Sequence, residues 1–343
     1  MDSNTPTIVR RSTTSERHTT TWIEAGPVEG PLLIFLHGWP ELCIVWRAQI
    51  VHFARRGWRC IAPDMRGYGE SSAPDRTGAY AVAEIVADMI ELHDALGATA
   101  AVWVGHDWGS AIAWAIAAHH GTRCRGVASL CIPYLPRGLT LENLLPLVDR
   151  TVYPVDRYPV GQWDYWLYYR EHFELAATLF EADVAATLAV LYRASPPVEP
   201  GQVSVAASIR ARGGLFGNDM RAPALPRDES MLPKEDFDTL VEAFRTKGFR
   251  GPNAWYLNDP ANAAYAADAP SFGRLSLPVL FIHAARDATC ETRQSTLANP
   301  MRESCLDLTE AVIDAGHELM LEQPQRVSEE LESWLAERCA MRT

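Results

Sequence analysis

The chain has 343 residues, 48% hydrophobic and 22% charged, which are the proportions of an ordinary globular protein and exclude a disordered or collagen-like chain. Its seven cysteines are scattered and include no C-x-x-C pair, which argues against a disulfide framework and against a zinc ribbon. The net charge of −12 disfavours nucleic acids and anionic membranes as partners.

Short apolar segments alternate with segments of helical periodicity in the first 132 residues and again near the C-terminus. Strands that are apolar on both faces and alternate with helices indicate a parallel sheet with helices on both sides. The sequence therefore predicts an α/β fold. In chain order the predicted elements are strand 32–36, helix 46–56, strand 60–62, helix 82–96, strand 100–104, helix 109–118, strand 126–132, strand 278–283, strand 305–313 and helix 324–339.

The region between these two groups of elements has a different pattern. From about residue 133 to residue 270 it contains helical stretches, an aromatic cluster and proline-rich loops, with few strand signals. The simplest interpretation is an α/β core domain formed by residues 1–133 and 271–343, interrupted by a mainly helical cap domain of residues 134–270.

A strained turn is predicted after strand 100–104, where residues 102–110 read V-W-V-G-H-D-W-G-S. Gly105 and Gly109 lie two positions on either side of Asp107. This is the spacing of a nucleophile elbow, in which a sharp strand-to-helix turn crowds the backbone around an exposed central residue. A carboxylate in that place can attack carbon and form a covalent ester. The alternative interpretation is that Asp107 is a plain N-cap of the following helix.

The segment His37-Gly38-Trp39-Pro40-Glu41 directly follows the first predicted strand. In hydrolases with a nucleophile elbow, a backbone N–H after this strand and the N–H after the nucleophile form an oxyanion hole. The candidate donors are therefore the N–H groups of Trp39 and Trp108. The alternative is an ordinary loop in which glycine and proline only mark a turn.

Two further candidates follow the C-terminal strands. Asp287 comes after strand 278–283, and His317 comes after strand 305–313. Asp107, Asp287 and His317 then occur in the chain order nucleophile, acid, base of α/β-hydrolases. Ligands of open α/β sheets bind at the carboxyl ends of the strands, so we expect these three side chains to meet there.

Competing motifs are weak. The chain has no G-x-S-x-G serine elbow, and Gly67-Tyr68-Gly69-Glu70-Ser71 lacks the third glycine of a dinucleotide loop. His119 and His120 have no further ligand residues grouped with them in the sequence, and His317-Glu318 is not part of an H-E-x-x-H motif. The sequence therefore predicts neither a cofactor nor a metal site.

Three blocks carry a resemblance to a known family: 37–41 (H-G-W-P-E), 66–71 (R-G-Y-G-E-S) and 105–109 (G-H-D-W-G). With them the chain resembles the epoxide hydrolases of the α/β-hydrolase superfamily, from about residue 20 onwards. The resemblance implies the α/β-hydrolase fold, with a mostly parallel sheet flanked by helices and an inserted helical cap. Haloalkane dehalogenases share H-G-W-P and G-H-D-W-G, so these two blocks alone indicate only a hydrolase with an aspartate nucleophile.

The cap distinguishes between those two families. Two of its segments, Q-W-D-Y-W-L-Y and G-F-R-G-P-N-A-W-Y, resemble the tyrosine motifs of epoxide hydrolases and point to Tyr165 and Tyr256 as acids opposite the nucleophile. An opening epoxide develops negative charge on oxygen, and a phenol, which is neutral at pH 7, can donate a proton to it. For the first acid, the neighbouring Tyr168 and Tyr169 remain alternatives.

The resemblance also implies supporting residues. Glu41 and His106 match family positions that help to place the hydrolytic water. His37 and Pro40 belong to the same loop as the first oxyanion donor and are expected to help position the site. The chain departs from the family at Glu318, because the residue after the catalytic histidine is commonly tryptophan.

The resemblance implies an enzyme that opens an epoxide to a vicinal diol through a covalent Asp107 ester, which water activated by His317 and Asp287 then hydrolyses. The expected partners are a small, neutral, apolar epoxide and water, without a cofactor, a nucleic acid or a membrane. A monomer and a homodimer are both compatible with the sequence. The polar N-terminus, which lacks the apolar segment of a signal peptide, predicts a cytoplasmic protein.

Two alternatives remain open. A haloalkane dehalogenase would use the same Asp107 and would need halide donors such as Trp108 together with Trp163 or Trp166. A halide leaving group takes no proton, so the cap tyrosines would then have no role in catalysis. The second alternative is a non-catalytic ligand sensor on the same scaffold, since a fold alone does not determine function.

Overall fold

The computed structural model describes residues 6–97, 100–196 and 201–339. Within these residues eight strands form a single sheet. The strands are β1 (Val9–Thr14), β2 (Thr19–Ala25), β3 (Leu32–Leu36), β4 (Arg59–Pro63), β5 (Ala101–His106), β6 (Cys124–Leu130), β7 (Leu275–Ala284) and β8 (Cys305–Ile313). Their order across the sheet is β1-β2-β4-β3-β5-β6-β7-β8. Strands β3 to β8 are mutually parallel, and β2 pairs antiparallel with both β1 and β4.

The α-helices in the same part of the chain are α1 (Arg47–Ala54), α2 (Val82–Ala95), α3 (Trp108–His119), α4 (Leu141–Leu144), α5 (Asp164–Glu171), α6 (Phe173–Glu181), α7 (Val184–Leu191), α8 (Lys234–Lys247), α9 (Arg250–Ala254), α10 (Asp259–Ala267), α11 (Asn299–Ser304), α12 (Leu319–Glu322) and α13 (Pro324–Arg338). Helix α1 packs against α13, and α2 packs against α3. Strands β3 and β5 are buried along their whole length, as two-sided coverage by helices requires. The predicted α/β class is confirmed. None of the described helices is long and apolar enough to span a bilayer.

The predicted core elements agree with the observed ones to within three residues at each end. The largest difference is in β7, which begins at Leu275 because this residue already pairs with Cys305, ahead of a register shift at Pro278. The predicted strand 100–104 continues to His106, so the strand ends directly at Asp107.

The sequence pattern does not predict the N-terminal hairpin of β1 and β2. Strand β1 reads V-R-R-S-T-T and is mostly exposed, so it lacks the apolar alternation by which a half-buried strand is identified. Its place depends on distant partners, because β2 joins it to β4 and Arg10 forms an ion pair with Asp64 at 2.9 Å.

Between β6 and β7 the chain leaves the sheet. The described parts of this segment contain helices α4 to α10 and no strand. The Tyr192 hydroxyl donates a hydrogen bond to the Pro40 carbonyl oxygen at 2.9 Å. The Trp255 indole N–H donates to the Arg66 carbonyl oxygen at 3.1 Å. Since both acceptors follow the ends of parallel strands, the helical segment lies over the carboxyl edge of the sheet.

Candidate active site

The candidate site lies where four parallel strands end at the same edge of the sheet. Strands β3, β5, β7 and β8 end at residues 36, 106, 284 and 313, respectively. Each of these ends is followed within a few residues by one part of the candidate site, namely the loop 37–41, Asp107, Asp287 or His317. The fold therefore brings together residues that are far apart in the sequence, as binding at the carboxyl ends of an α/β sheet requires.

Asp107 occupies a sharp turn between β5 and α3. Its φ of 49° and ψ of −123° are unusual for a residue with a side chain. A Cβ atom on Gly105 would overlap the Gly109 carbonyl oxygen, and one on Gly109 would overlap the Leu36 carbonyl oxygen. The Asp107 side chain accepts no capping hydrogen bond from α3, so the alternative of a plain N-cap is wrong. The geometry is that of a nucleophile elbow.

Asp107, His317 and Asp287 are linked through the imidazole ring. His317 Nδ1 lies 2.5 Å from Asp287 Oδ2, and His317 Nε2 lies 3.5 Å from Asp107 Oδ2. Asp287 Oδ1 accepts hydrogen bonds from the N–H groups of Thr289 and Cys290 at 2.9 and 2.8 Å. Asp287 thus orients the ring, whose other nitrogen faces the nucleophile.

The three charges of this triad stabilise one another. Burial raises the pKa of Asp107, but His317 and the Trp39 N–H lower it by more, so the pKa lies below its usual value. The pKa of Asp287 is likewise raised by burial and lowered by more through His317 and two backbone N–H groups. Burial lowers the pKa of His317, but the two carboxylates raise it well above its usual value. The site therefore favours the ionised form of both aspartates and the protonated form of the imidazole.

The loop after β3 presents a backbone donor to the nucleophile. The Trp39 N–H donates to Asp107 Oδ1 at 2.8 Å. The buried His37 ring supports this loop, because Nδ1 lies 3.0 Å from the Gly38 carbonyl oxygen and Nε2 accepts from the Met65 N–H at 2.9 Å. Burial lowers the pKa of His37 to about 4. The ring is therefore neutral at pH 7 and positions the loop without exchanging protons.

Trp108, the second predicted oxyanion donor, is the first residue of α3. N–H groups in the first turn of an α-helix have no acceptor within the helix. The Trp108 ring is buried and packs against Trp166, Trp255 and Tyr256, with ring centroids 5.2 to 5.8 Å apart. The helical segment between β6 and β7 thus packs directly on the residue that follows the nucleophile.

Three tyrosines line the cavity that contains Asp107: Tyr165, Tyr169 and Tyr256. Tyr165 lies in the first turn of α5, and Tyr256 lies in a 3-10 turn that follows α9. Their ring centroids are 5.7 Å apart. The structure does not bring Tyr168 to this cavity, since its hydroxyl donates to the Gly213 carbonyl oxygen at 3.4 Å. Tyr165 and Tyr169 both reach it.

The phenols of Tyr165 and Tyr256 are neutral at pH 7. Burial raises the pKa of both hydroxyls well above the usual value, and the Asp107 carboxylate adds to the rise. A phenol in this state can donate a proton to a developing alkoxide, and the phenolate that results is a strong enough base to recover one.

Glu41 and His106 are completely buried beside the triad. His106 Nδ1 lies 2.7 Å from Glu41 Oε1, and His106 Nε2 donates to the His317 carbonyl oxygen at 2.8 Å. Glu41 Oε2 accepts from the Gly38 N–H at 2.6 Å. The pair therefore connects the loop after β3, the end of β5 and the loop that carries His317.

Asp107 lines a cavity of about 250 Å³ with a mainly apolar wall. Pro40 lines one part of it, and Leu191, Ile209 and Leu215 come from the segment between β6 and β7. Arg193 is the one arginine or lysine among the described lining residues. Sequence reasoning does not identify these wall residues, because they come from loops and helix ends without a motif and only the fold brings them together.

The geometry gives little support to the indole groups that the dehalogenase alternative would need as halide donors. Trp166 Nε1 donates to the Tyr256 carbonyl oxygen at 2.9 Å. The described residues that line the cavity of Asp107 do not include Trp108, Trp163 or Trp166. This arrangement disfavours the pair of indole donors that a haloalkane dehalogenase would need.

Several residue types that can bind metal ions meet at this edge of the sheet. All of the groupings found among the described residues include His106 or His317, whose ring nitrogens already contact partners within the protein. A metal ion would have to displace these contacts, so the donor set fits hydrogen bonding better than metal binding. The groupings are His106–Cys131–His317, Asp287–Cys290–His317 and Glu41–His106–Glu318.

The chain is similar to known proteins over most of its length. Residues 31–324 match the family model described as alpha/beta hydrolase fold. Epoxide hydrolase A of Mycobacterium tuberculosis is 32% identical over 320 residues, which cover 91% of this chain and 92% of that protein. Bifunctional epoxide hydrolase 2 of Sus scrofa is 32% identical over 315 residues, or 92% of this chain. The chain spans about half the length of this bifunctional relative, 52%.

Solved structures show the same similarity. The crystal structure of epoxide hydrolase A from Mycobacterium thermoresistibile superposes with a TM-score of 0.77 at 28% identity, covering 96% of this chain and 98% of that chain. An epoxide hydrolase from an endophytic Streptomyces gives a TM-score of 0.77 at 28% identity, covering 96% and 95%. The similarity therefore includes most of the helical segment between β6 and β7.

Proposed function

Since the chain belongs to the α/β-hydrolase fold family and, within it, to the epoxide hydrolases, we propose that it adds water to an epoxide and releases a vicinal diol. The observation that carries this proposal is that Tyr165 and Tyr256 line the same cavity as Asp107. The oxygen that leaves carbon when an epoxide opens stays on the substrate and needs a proton donor. A nucleophilic carboxylate with neutral phenols in its cavity meets that need.

In the first step, an Asp107 oxygen attacks an epoxide carbon from the side opposite the C–O bond that breaks. The electron pair of that bond moves to the epoxide oxygen, which takes a proton from Tyr165 or Tyr256. The product is a hydroxyalkyl ester of Asp107. The lowered pKa of Asp107 and the raised pKa values of the phenols support this step, because each group begins in the required protonation state.

The charge of Asp107 couples the first step to the second. In the resting site the carboxylates of Asp107 and Asp287 raise the pKa of His317 and so favour its protonated form. Esterification removes the charge of Asp107, so the pKa of His317 falls and its proton replaces the one that the phenol gave away. Neutral His317 is then available as a base when there is an ester to hydrolyse.

In the second step, water attacks the ester carbonyl and gives a proton to His317, which Asp287 orients. The N–H groups of Trp39 and Trp108 bind the oxyanion of the tetrahedral intermediate. When the intermediate collapses, the C–O bond to the diol breaks and the diol oxygen takes the proton from His317. The new Asp107 carboxyl then protonates His317 again. The sum is epoxide plus water to diol.

A single turnover in ¹⁸O-water tests the covalent route. We expect the label in Asp107 and none in the diol, because the oxygen that the diol receives in a first turnover comes from the carboxylate. Mass spectrometry of the diol and of the peptide that contains Asp107 measures both. Many turnovers in the same water are the control, since the label must then reach the diol. Label in the diol after one turnover would contradict the proposal.

The dehalogenase alternative shares the nucleophile but differs in its product. Incubation with styrene oxide and with 1-bromobutane, followed by assays for diol and for bromide, separates the two activities. We expect diol from the epoxide and no bromide. A ligand sensor would release neither product.

We further propose that residues 1–133 and 271–343 form the core domain and that residues 134–270 form the cap that carries both tyrosines. The helices and the lack of strands in the described part of 134–270 support this division. The apolar cavity wall supports a small, neutral, apolar epoxide as substrate. The seven unpaired cysteines support a reducing compartment such as the cytoplasm.

A further inference from the structure

Glu318 is a buried carboxyl that the proposed reaction does not use. It directly follows His317, and only 9% of its surface is exposed. It lines the same cavity as Asp107 and His317. Its Oε2 atom is buried and has no hydrogen-bond partner among the described residues. Since buried polar atoms in proteins nearly always have a partner, an unpaired one in the wall of an active-site cavity points to a ligand.

A second buried carboxyl lies next to it. One ligand atom from each of Glu41, His106 and Glu318 lies within 4.8 Å of the others. Both oxygens of Glu41 and both ring nitrogens of His106 already contact partners in the protein. Among these three side chains, Glu318 is therefore the one with an oxygen left to bind a further group.

Two buried carboxyls this close tend to share a proton. Burial, followed by the charge of Glu41, raises the pKa of Glu318 well above its usual value. Burial also raises the pKa of Glu41, to about 7. The other titratable groups that act on the pair from the surrounding elements are His106, Asp107, His317, Tyr68 and Tyr192.

We propose that Glu318, paired with Glu41, is a positioning residue that holds the hydrolytic water next to His317. This inference rests on the proposed function. The shared proton lies between Glu318 and Glu41, so the unpaired Oε2 atom of Glu318 accepts a hydrogen bond from the water, and a buried water needs two to four such partners. Unlike a carboxylate, the acid also adds no negative charge where the oxyanion forms. Water takes part only in ester hydrolysis, so Glu318 should act on that step and not on ester formation.

Two substitutions separate the role of the polar group from that of packing. E318M removes the polar group with little change in volume, whereas E318Q keeps a donor and an acceptor. With styrene oxide, rapid quenching and intact-protein mass spectrometry measure ester formation and ester hydrolysis separately. We expect E318M to hydrolyse the ester about 10- to 100-fold more slowly while forming it within about threefold of wild type, and E318Q to stay within about threefold in both steps. E303M, the same change at an exposed glutamate of α11, is the control and should match wild type.

The pH profile provides a readout that a merely structural role would not change. As the pH rises, the wild-type pair loses its shared proton, and the two carboxylates repel each other and misplace the water. E318Q cannot ionise at this position. The ratio of the E318Q hydrolysis rate to the wild-type rate should therefore increase with pH, and a constant ratio would overturn the inference even if E318M fails to fold.

A thermal measurement tests the carboxyl pair without any substrate. The pKa values of Glu41 and Glu318 are higher in the folded chain than in the unfolded chain. The folded state therefore loses stability as the pH rises from the unfolded values through the folded ones. E318Q removes the part of this loss that belongs to Glu318, so its melting temperature relative to wild type should increase as the pH rises above about 4.5, the ordinary value of a glutamate. A constant difference would show that the two carboxyls do not share a proton.

The two sets of measurements distinguish failure of this inference from failure of the proposed function. Equal ester hydrolysis in wild type and E318M would overturn the positioning role and leave the proposed function intact. If the wild type forms neither an ester nor a diol from any epoxide, the proposed function fails. The melting temperatures still decide in that case whether Glu318 holds its proton more tightly in the folded chain than in the unfolded chain.

Discussion

At the scale of single residues, Asp107 combines a strained backbone with a charge that its neighbours stabilise. A positive φ of 49° at a residue with a side chain costs on the order of 1–3 kcal/mol. The Trp39 N–H and the His317 ring hold the carboxylate from two sides. The strained turn places the side chain in the cavity, and the two contacts keep it ionised despite its burial.

The cap tyrosines can be tested by a double substitution. Replacing Tyr165 and Tyr256 by phenylalanine keeps the aromatic packing but removes both proton donors, so ester formation should slow by about 10²- to 10⁴-fold. Rapid quenching with styrene oxide measures this rate. Tyr168→Phe is the matched control and should behave as wild type, because that hydroxyl faces Gly213 outside the cavity. A double variant with an unchanged rate would favour the dehalogenase alternative, and Tyr169→Phe tests the remaining candidate for the first acid.

At the scale of elements, the nucleophile depends on how closely β3, β5 and α3 approach one another. The Leu36 carbonyl oxygen at the end of β3 occupies the space that a Cβ on Gly109 would need. The first turn of α3 occupies the space next to Gly105 in the same way. The spacing of the two glycines is therefore a packing requirement of the strand–turn–helix unit, and this is why a sequence motif can reveal it.

Gly109→Ala tests this requirement. The added methyl group must displace backbone atoms, so we expect a loss of about 1–3 kcal/mol in the free energy of unfolding and a fall in activity. Urea unfolding measures the first and diol release the second. Gly121→Ala is the control, because nothing lies within 4 Å of the added atom, and its effect should stay within about 0.5 kcal/mol. An unchanged unfolding midpoint in Gly109→Ala would show that the turn has room for a side chain.

At the scale of the whole molecule, the parallel sheet brings together groups from both ends of the chain. The loop after β3 supplies the Trp39 donor, β5 leads into Asp107, and the loops after β7 and β8 supply Asp287 and His317. The helical segment between β6 and β7 adds the tyrosines from above. The net charge of −12 belongs to a molecule for which we propose a neutral substrate.

Salt dependence tests that last point. A neutral epoxide is not steered by the field of the protein, so kcat/KM for styrene oxide should change by less than about twofold between about 20 and 500 mM NaCl. An epoxide that carries a carboxylate is the comparison, and its kcat/KM should depend on salt because the acidic protein repels it. A large salt effect on the neutral substrate would contradict this view of the cavity.

The features that depend on neighbours along the chain can be read from the amino-acid sequence. Strands that are apolar on both faces indicate a buried parallel sheet. The G-x-D-x-G motif marks a turn in which neighbouring residues crowd the backbone. The order of Asp107, Asp287 and His317 follows from the order of the strand ends. These features can be predicted because the residues that cause them lie within a few positions of one another or of a strand end.

The contacts between distant segments depend on the fold as a whole. In the fold, the polar strand β1 pairs with β2, and the Trp166 indole N–H donates a hydrogen bond to the Tyr256 carbonyl oxygen. The fold also brings Glu318 close to Glu41 and forms the cavity wall from helix ends that carry no sequence motif. No local pattern encodes such contacts, because which side chains meet depends on how the whole chain packs around one sheet.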